Sequence, residues 1–155
     1  MNKISEEELR EFWEWCGFRE IDCPDPDNCY FTIGVGHRHL AYPDGRYQVG
    51  TAKCIAASTF SDYFNDKYSY RYPVINLDNL FRYAIPALKI LLEYRRCSLE
   101  SVEFSENSCF ILYWRNEPDI DTYGVGIYSG EDVEPAIALY NAIQEARRKT
   151  RESEN

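Results

Sequence analysis

Residues 76–96 read NLDNLFRYAIPALKILLEYRR. Leu77, Leu80, Phe81, Ala84, Ile85, Leu88 and Leu92 recur at the i, i+3, i+4 spacing of a helix with one broad apolar face, and Asn76 is placed to cap its start. This face predicts a core helix on which the rest of the chain packs. Pro86 falls inside the pattern, where it lacks a donor and crowds the carbonyl of Arg82, so a kink or the junction of two short helices is expected there.

Downstream the helical period gives way to strand-like runs. LESVEFS, a turn at Glu106-Asn107-Ser108, CFILYWR and TYGVGIY read as three successive strands of an antiparallel meander. In CFILYW both alternating sets are apolar, Phe110, Leu112 and Trp114 on one side and Cys109, Ile111 and Tyr113 on the other, which predicts a central strand covered on both faces. Val133, Ala136, Ile137, Tyr140 and Ile143 then spell an amphipathic helix with Pro135 in its first turn and Glu131, Asp132 and Glu134 near its positive end. The closing RRKTRESEN is a charged tail, expected to fray, with residues 150–155 beyond the domain.

Upstream, residues 5–17 carry a full set of helix signals. Ser5 and Glu8 form a capping box, Ile4 and Leu9 a hydrophobic staple, and Gly17 a C-terminal stop. Leu9, Phe12, Trp13 and Cys16 fall on one face and Glu7, Glu11 and Glu14 on the other, the pattern of a surface helix presenting carboxylates to water. Between Ile21 and Gly50, CPDPDN, YFTIGVGHRHL and YPDGRYQVG read as turn, strand, turn and strand, with Pro43-Asp44-Gly45 the strongest turn signal. TAKCIAASTF fits a strand or a short helix. In SDYFNDKYSYRYP, Tyr68, Tyr70 and Tyr72 alternate with Ser69 and Arg71, which sets three phenols on one side of an extended segment.

These elements sum to an α+β fold: an α/β/α layered sandwich around a mostly antiparallel sheet, with an N-terminal helix, a kinked central helix and a C-terminal helix. A chain of 155 residues that is 45% apolar and 15% aromatic supports one domain, taken as residues 1–149. No run of eighteen apolar residues occurs, and MNKISEEELR is charged with no apolar stretch behind it, so the expected setting is the cytoplasm. There the six cysteines, at 16, 23, 29, 54, 97 and 109, are reduced thiols. Of the net charge of −9, residues 1–29 hold −6, with nine acids against Lys3, Arg10 and Arg19. That balance argues against nucleic acid as a direct partner, which requires clustered Lys and Arg, and leaves open a partner that is itself basic.

FWEWCGF at 12–18, Pro43-Asp44-Gly45, LDNLFRYAIPAL at 77–88 and EPAIALYNAI at 134–143 together resemble a group of small phage and prophage proteins with an "ABA sandwich" domain. LFRYAIPAL is the most specific of these phrases. Relative to that pattern, residues 46–72 look like an insertion. The resemblance implies a phage setting, a fold of helices enclosing a sheet, and no enzyme, cofactor or catalytic residue.

Candidate chemistry is sparse. Cys16, Cys23, Cys29, His37 and His39 are all zinc-ligand types, but five residues separate Cys23 from Cys29, wider than structural zinc sites use, so structural thiols and surface imidazoles are the favoured reading. Gly34-x-Gly36 and Gly124-x-Gly126 each follow a strand-like run, yet the third glycine of a dinucleotide-binding turn is replaced by His39 and Ser129. No nucleophile and base are brought together by spacing, so no catalytic residue is assigned. Tyrosines of residues 60–73 either pack on the sheet or the core helix or, where exposed, offer rigid amphipathic contact area. The expected function is therefore non-catalytic: an accessory protein that binds a protein partner with a basic nucleic-acid groove, as an inhibitor of a bacterial defence complex does, through Glu7, Glu11, Glu14, Tyr68, Tyr70 and Tyr72. A small-ligand or nucleotide-sequestering protein is the alternative, and a zinc-dependent or enzymatic protein resting on the Cys/His cluster is the third and least favoured reading. No membrane partner and no cofactor are expected.

Overall fold

A computed structural model describes residues 4–22, 38–46, 72–115 and 124–152. The chain is mixed α+β with antiparallel sheets, and it divides into two compact units, Met1–Pro73 and Val74–Asn155.

In the first unit, helix α1 (Glu6–Trp15) begins and ends on the signals read from sequence. The Ser5 Oγ accepts from the Glu8 amide at 3.2 Å while the Ser5 amide donates to Glu8 Oε2 at 2.8 Å, so two orphan donors are satisfied reciprocally. At the other end Gly17 adopts φ +96°, which lets its amide reach Glu14 O at 2.9 Å and the Phe18 amide reach Trp13 O at 3.0 Å. The reversed chain continues as strand β1 (Arg19–Asp22), which the sequence reading missed, paired antiparallel with β2 (Arg38–Ala41). REID shows no alternation of apolar and polar residues, so only its tertiary pairing marks it as a strand. Phe12, Trp13, Phe18, His39 and Leu40 are fully buried, and Trp13 packs edge-on against both Phe12 and Phe18 at 5.0 and 5.4 Å between ring centres. The Pro43-Asp44-Gly45 turn closes as expected, Gly45 at φ +84° and Arg46 held to Asp44 by a 2.6 Å ion pair.

In the second unit a short α segment at Leu77–Asn79, a π turn at Leu80–Ala84 and an α segment at Ile85–Tyr94 follow without a break and together form α2. Asn76 caps it through its Oδ1, 2.8 Å from the Asn79 amide. The disturbance expected at Pro86 takes the form of a π turn just before it: the Ile85 amide bonds to Leu80 O, one residue further back than in an α-helix. That extra residue corrects the apolar face read from sequence. Leu80, Ala84, Ile85, Leu88 and Leu92 are buried, but Phe81 is 44% exposed, because the wide turn brings Phe81 into line with Pro86.

Strands β3 (Cys97–Ser105), β4 (Ser108–Arg115) and β5 (Gly124–Glu131) form the antiparallel meander in the order β3-β4-β5. Strand β4 is central; Cys109, Ile111 and Tyr113 on one face are buried, whereas Phe110, Leu112 and Trp114 on the other are half-buried, a lighter covering than the sequence suggested. Helix α3 (Pro135–Glu152) lies across β4 and β5 on the buried face. Its backbone comes so close that a Cβ on Gly130 would sit 2.1 Å from Ala138 O. Of the predicted stripe Tyr140 and Ile143 are buried, Ala136 and Ile137 are half-buried and Val133 stays outside at 71% exposure, while Ala138, Leu139, Ala142 and Ala146 complete the buried side of α3. Nor does the helix fray at Arg147: it continues to Glu152, where Thr150 is buried, donates to Ala146 O at 2.8 Å and accepts from Arg95 at 3.5 Å.

Candidate functional site

The six residues singled out for partner binding fall into two groups. Tyr68 and Tyr70 lie outside the described residues. Glu7, Glu11, Glu14 and Tyr72 all belong to the first unit, and there Tyr72 and Glu14, 58 residues apart in sequence, meet: the Tyr72 hydroxyl donates to Glu14 Oε1 at 3.3 Å.

The capping box sets the start of α1 and thereby the phase of its whole outer face. With Phe12, Trp13 and Cys16 buried, Glu7, Glu11 and Glu14 must be exposed, and they are. Acids in the first turn are stabilised by the positive end of the helix dipole, which accounts for Glu6, Glu7 and Glu8. No such account covers the others. Glu11 is mid-helix and Glu14 stands in the last turn, where the dipole opposes a carboxylate and no basic residue offsets it. Glu14 instead is held by Arg10 one turn back, at 3.4 Å, and by Tyr72. Glu7 and Glu11 have no ion-pair partner among the described residues.

Proton affinities follow this arrangement. Two hydrogen bonds from Ser5, side chain first and backbone second, hold the Glu8 carboxyl below its ordinary range. Tyr72 is pushed well above the usual phenol range, chiefly by burial and then by the neighbouring Glu14 and Glu20 carboxylates, so at neutral pH it is a donor and never a phenolate. The face thus carries three exposed carboxylates with one tyrosine hydroxyl fastened at its edge.

The other sequence candidates resolve differently. Cys16 is buried at the end of α1; His39, expected at the surface, is instead buried in β2 together with Leu40, while Cys23, Cys29 and His37 lie outside the described residues; among the described residues no group of three His, Cys, Asp or Glu side chains is placed to hold a metal ion. Gly126 serves packing: a Cβ there would fall 2.0 Å from the Tyr113 ring, which lies over it and stacks on Tyr128 at 4.6 Å. Gly34 and Gly36 are outside the described residues. No described helix is long and apolar enough to cross a membrane. The Glu14–Tyr72 contact is the feature sequence reasoning did not foresee, since alternation in KYSYRY placed Tyr72 with Tyr68 and Tyr70 and nothing local tied it to α1. No protein-family model matches the chain, and neither the curated proteins nor the solved structures contain a match.

Proposed function

We propose that this chain is a non-catalytic binding protein that docks the outer face of α1, with Glu7, Glu11, Glu14 and Tyr72, onto a basic surface of a protein partner. The observation that carries the reading is the placement of Glu11 and Glu14: exposed carboxylates in the half of the helix where the dipole gives them no stability, one of them fixed by a tyrosine from a distant part of the sequence. Carboxylates gathered on one helix face carry the sign of charge that a groove built for phosphates attracts, and their long-range field raises the encounter rate with such a groove. In its concrete form the reading is a phage accessory protein in the host cytoplasm that covers the nucleic-acid groove of a bacterial defence complex.

Affinity capture from host extract with wild-type and E7K/E11K/E14K baits tests this. A basic protein is retained by the wild type at low salt and lost by the triple reversal, and for the purified pair the association rate falls as salt rises, because the Debye length shrinks to about 8 Å at physiological strength. Equal retention by both baits overturns the proposal, and a partner lost on Tyr72→Phe but indifferent to the charge reversal points to a ligand-sequestering protein instead.

A further inference from the structure

Helix α2 buries one side in the second unit and leaves an unusual surface on the other. Phe81, Pro86, Ile90 and Tyr94 are all exposed, Ile90 at 69% and Tyr94 at 81%. Scattered apolar residues on a surface need no explanation, but these four are in line. Pro86, Ile90 and Tyr94 are spaced four apart on the α-helical segment, and the π turn at Leu80–Ala84, by inserting one residue, brings Phe81 onto the same stripe. Along one flank of the stripe stand Lys89 and Glu93, both exposed and neither with an ion-pair partner among the described residues. Their order, Lys before Glu, is the less favourable one for pairing within a helix.

We infer that this face is a self-complementary interface and that its occupant is α2 of a second copy of this chain, packed antiparallel about a two-fold axis beside Ile90. A two-fold axis at that point sets Ile90 against Ile90 of the second copy and Pro86 against Tyr94 of the second copy. The same operation sets Lys89 of each copy on the same flank as Glu93 of the other and two helix positions away along the seam, about 3 Å, an offset these long side chains span, so two identical ion pairs close along one flank of the apolar seam. An apolar helix without charges would cover the stripe and leave Lys89 and Glu93 unpaired, whereas the antiparallel copy pairs both reciprocally. A single helix face buries less than the ~1,200 Å² at which stable interfaces begin, so the dimer is weak and dissociates in the micromolar range. This inference is independent of the acidic face of α1, and either can fail without the other.

Sedimentation velocity over a concentration series reads the result. Wild-type protein shifts from monomer to dimer as concentration rises, while I90D and Y94D each raise the dissociation constant at least about tenfold, with unchanged circular dichroism because both positions are exposed. K89E and E93K each weaken the dimer alone, since like charges then face each other, and an equimolar mixture of the two variants restores association as a heterodimer. A wild type that stays monomeric up to its solubility limit overturns the inference. So does association that survives I90D, or a mixture of K89E and E93K no more associated than either variant by itself.

Discussion

At the scale of single residues, the tightest constraints sit on the buried face of the sheet. Ile111 is fully buried on the central strand, so a carboxylate there has no partner and costs several kcal/mol, a large part of the ~5–15 kcal/mol that typically holds a domain together. Ile111→Asp is expected to abolish cooperative thermal unfolding; a soluble protein that still melts cooperatively contradicts the burial. Gly130 is a sterner case than its size suggests. Its missing Cβ would meet Ala138 O at 2.1 Å and Ala142 N at 2.4 Å, and backbone atoms of a helix cannot rotate away as a side chain can. Gly130→Ala should therefore lower stability by about 1–3 kcal/mol or more in denaturant melts, the range of overpacked cores. Neither glycine contact was readable in TYGVGIYSG, where a strand glycine is equally consistent with a bulge or a ligand cradle.

At the scale of elements, α1 is the best-determined piece, because its start and stop are encoded within a few residues of each other. Ser5→Ala removes the oxygen that accepts the Glu8 amide and should cost about 1 kcal/mol, while the E7K/E11K/E14K reversal changes stability by about 0.5 kcal/mol or less per site, measured by urea titration. A stability loss from the reversal much larger than from Ser5→Ala would mean that the carboxylates serve folding rather than docking. Helix α2 shows the opposite lesson. Its apolar spacing was plain, but the phase on either side of Pro86 was not, since a single inserted residue in a π turn rotates Phe81 out of the core and onto the exposed stripe.

At the scale of the whole molecule, titration links several groups to stability. Burial pushes the Cys109 thiol up from 9.0 to about 11, and burial together with Tyr113 pushes Tyr128 from 10.0 to about 12. Both native forms hold their protons longer than the unfolded chain does. Their contribution is fully present below about pH 9 and is lost as pH rises through the native values, so stability falls steeply between about pH 9 and pH 12. Carboxylates act in the reverse sense: burial raises Glu145, but the Lys149 hydrogen bond and the Ser129 amide at 2.6 Å more than offset it, and like Glu8 and Asp44 its carboxyl is held below its ordinary value. What these three contribute is present above the ordinary values of 4.5 and 3.8 and disappears as pH falls through the lowered native ones. Thermal melts across pH should show a plateau bounded on both sides, and Cys109→Ala should remove the part of the alkaline fall that begins near pH 9.

The sequence by itself determined the mixed α+β class, the bounds of α1, the turn at Pro43-Asp44-Gly45, the three-strand meander and the presence of helices at its two ends. All of these rest on interactions within a few residues, or on a hydrophobic period that repeats often enough to fix a face. Only the tertiary structure decided the rest. Strand β1 exists because β2 pairs with it, Thr150 joins the core because Arg95 and Ala146 meet its hydroxyl, and Tyr72 joins the acidic face because its hydroxyl finds Glu14. The β1–β2 pairing, the Arg95–Thr150 bond and the Glu14–Tyr72 bond each join residues whose local neighbours give no hint of the partner, and the face of α2 depends on a helix phase that one inserted residue resets.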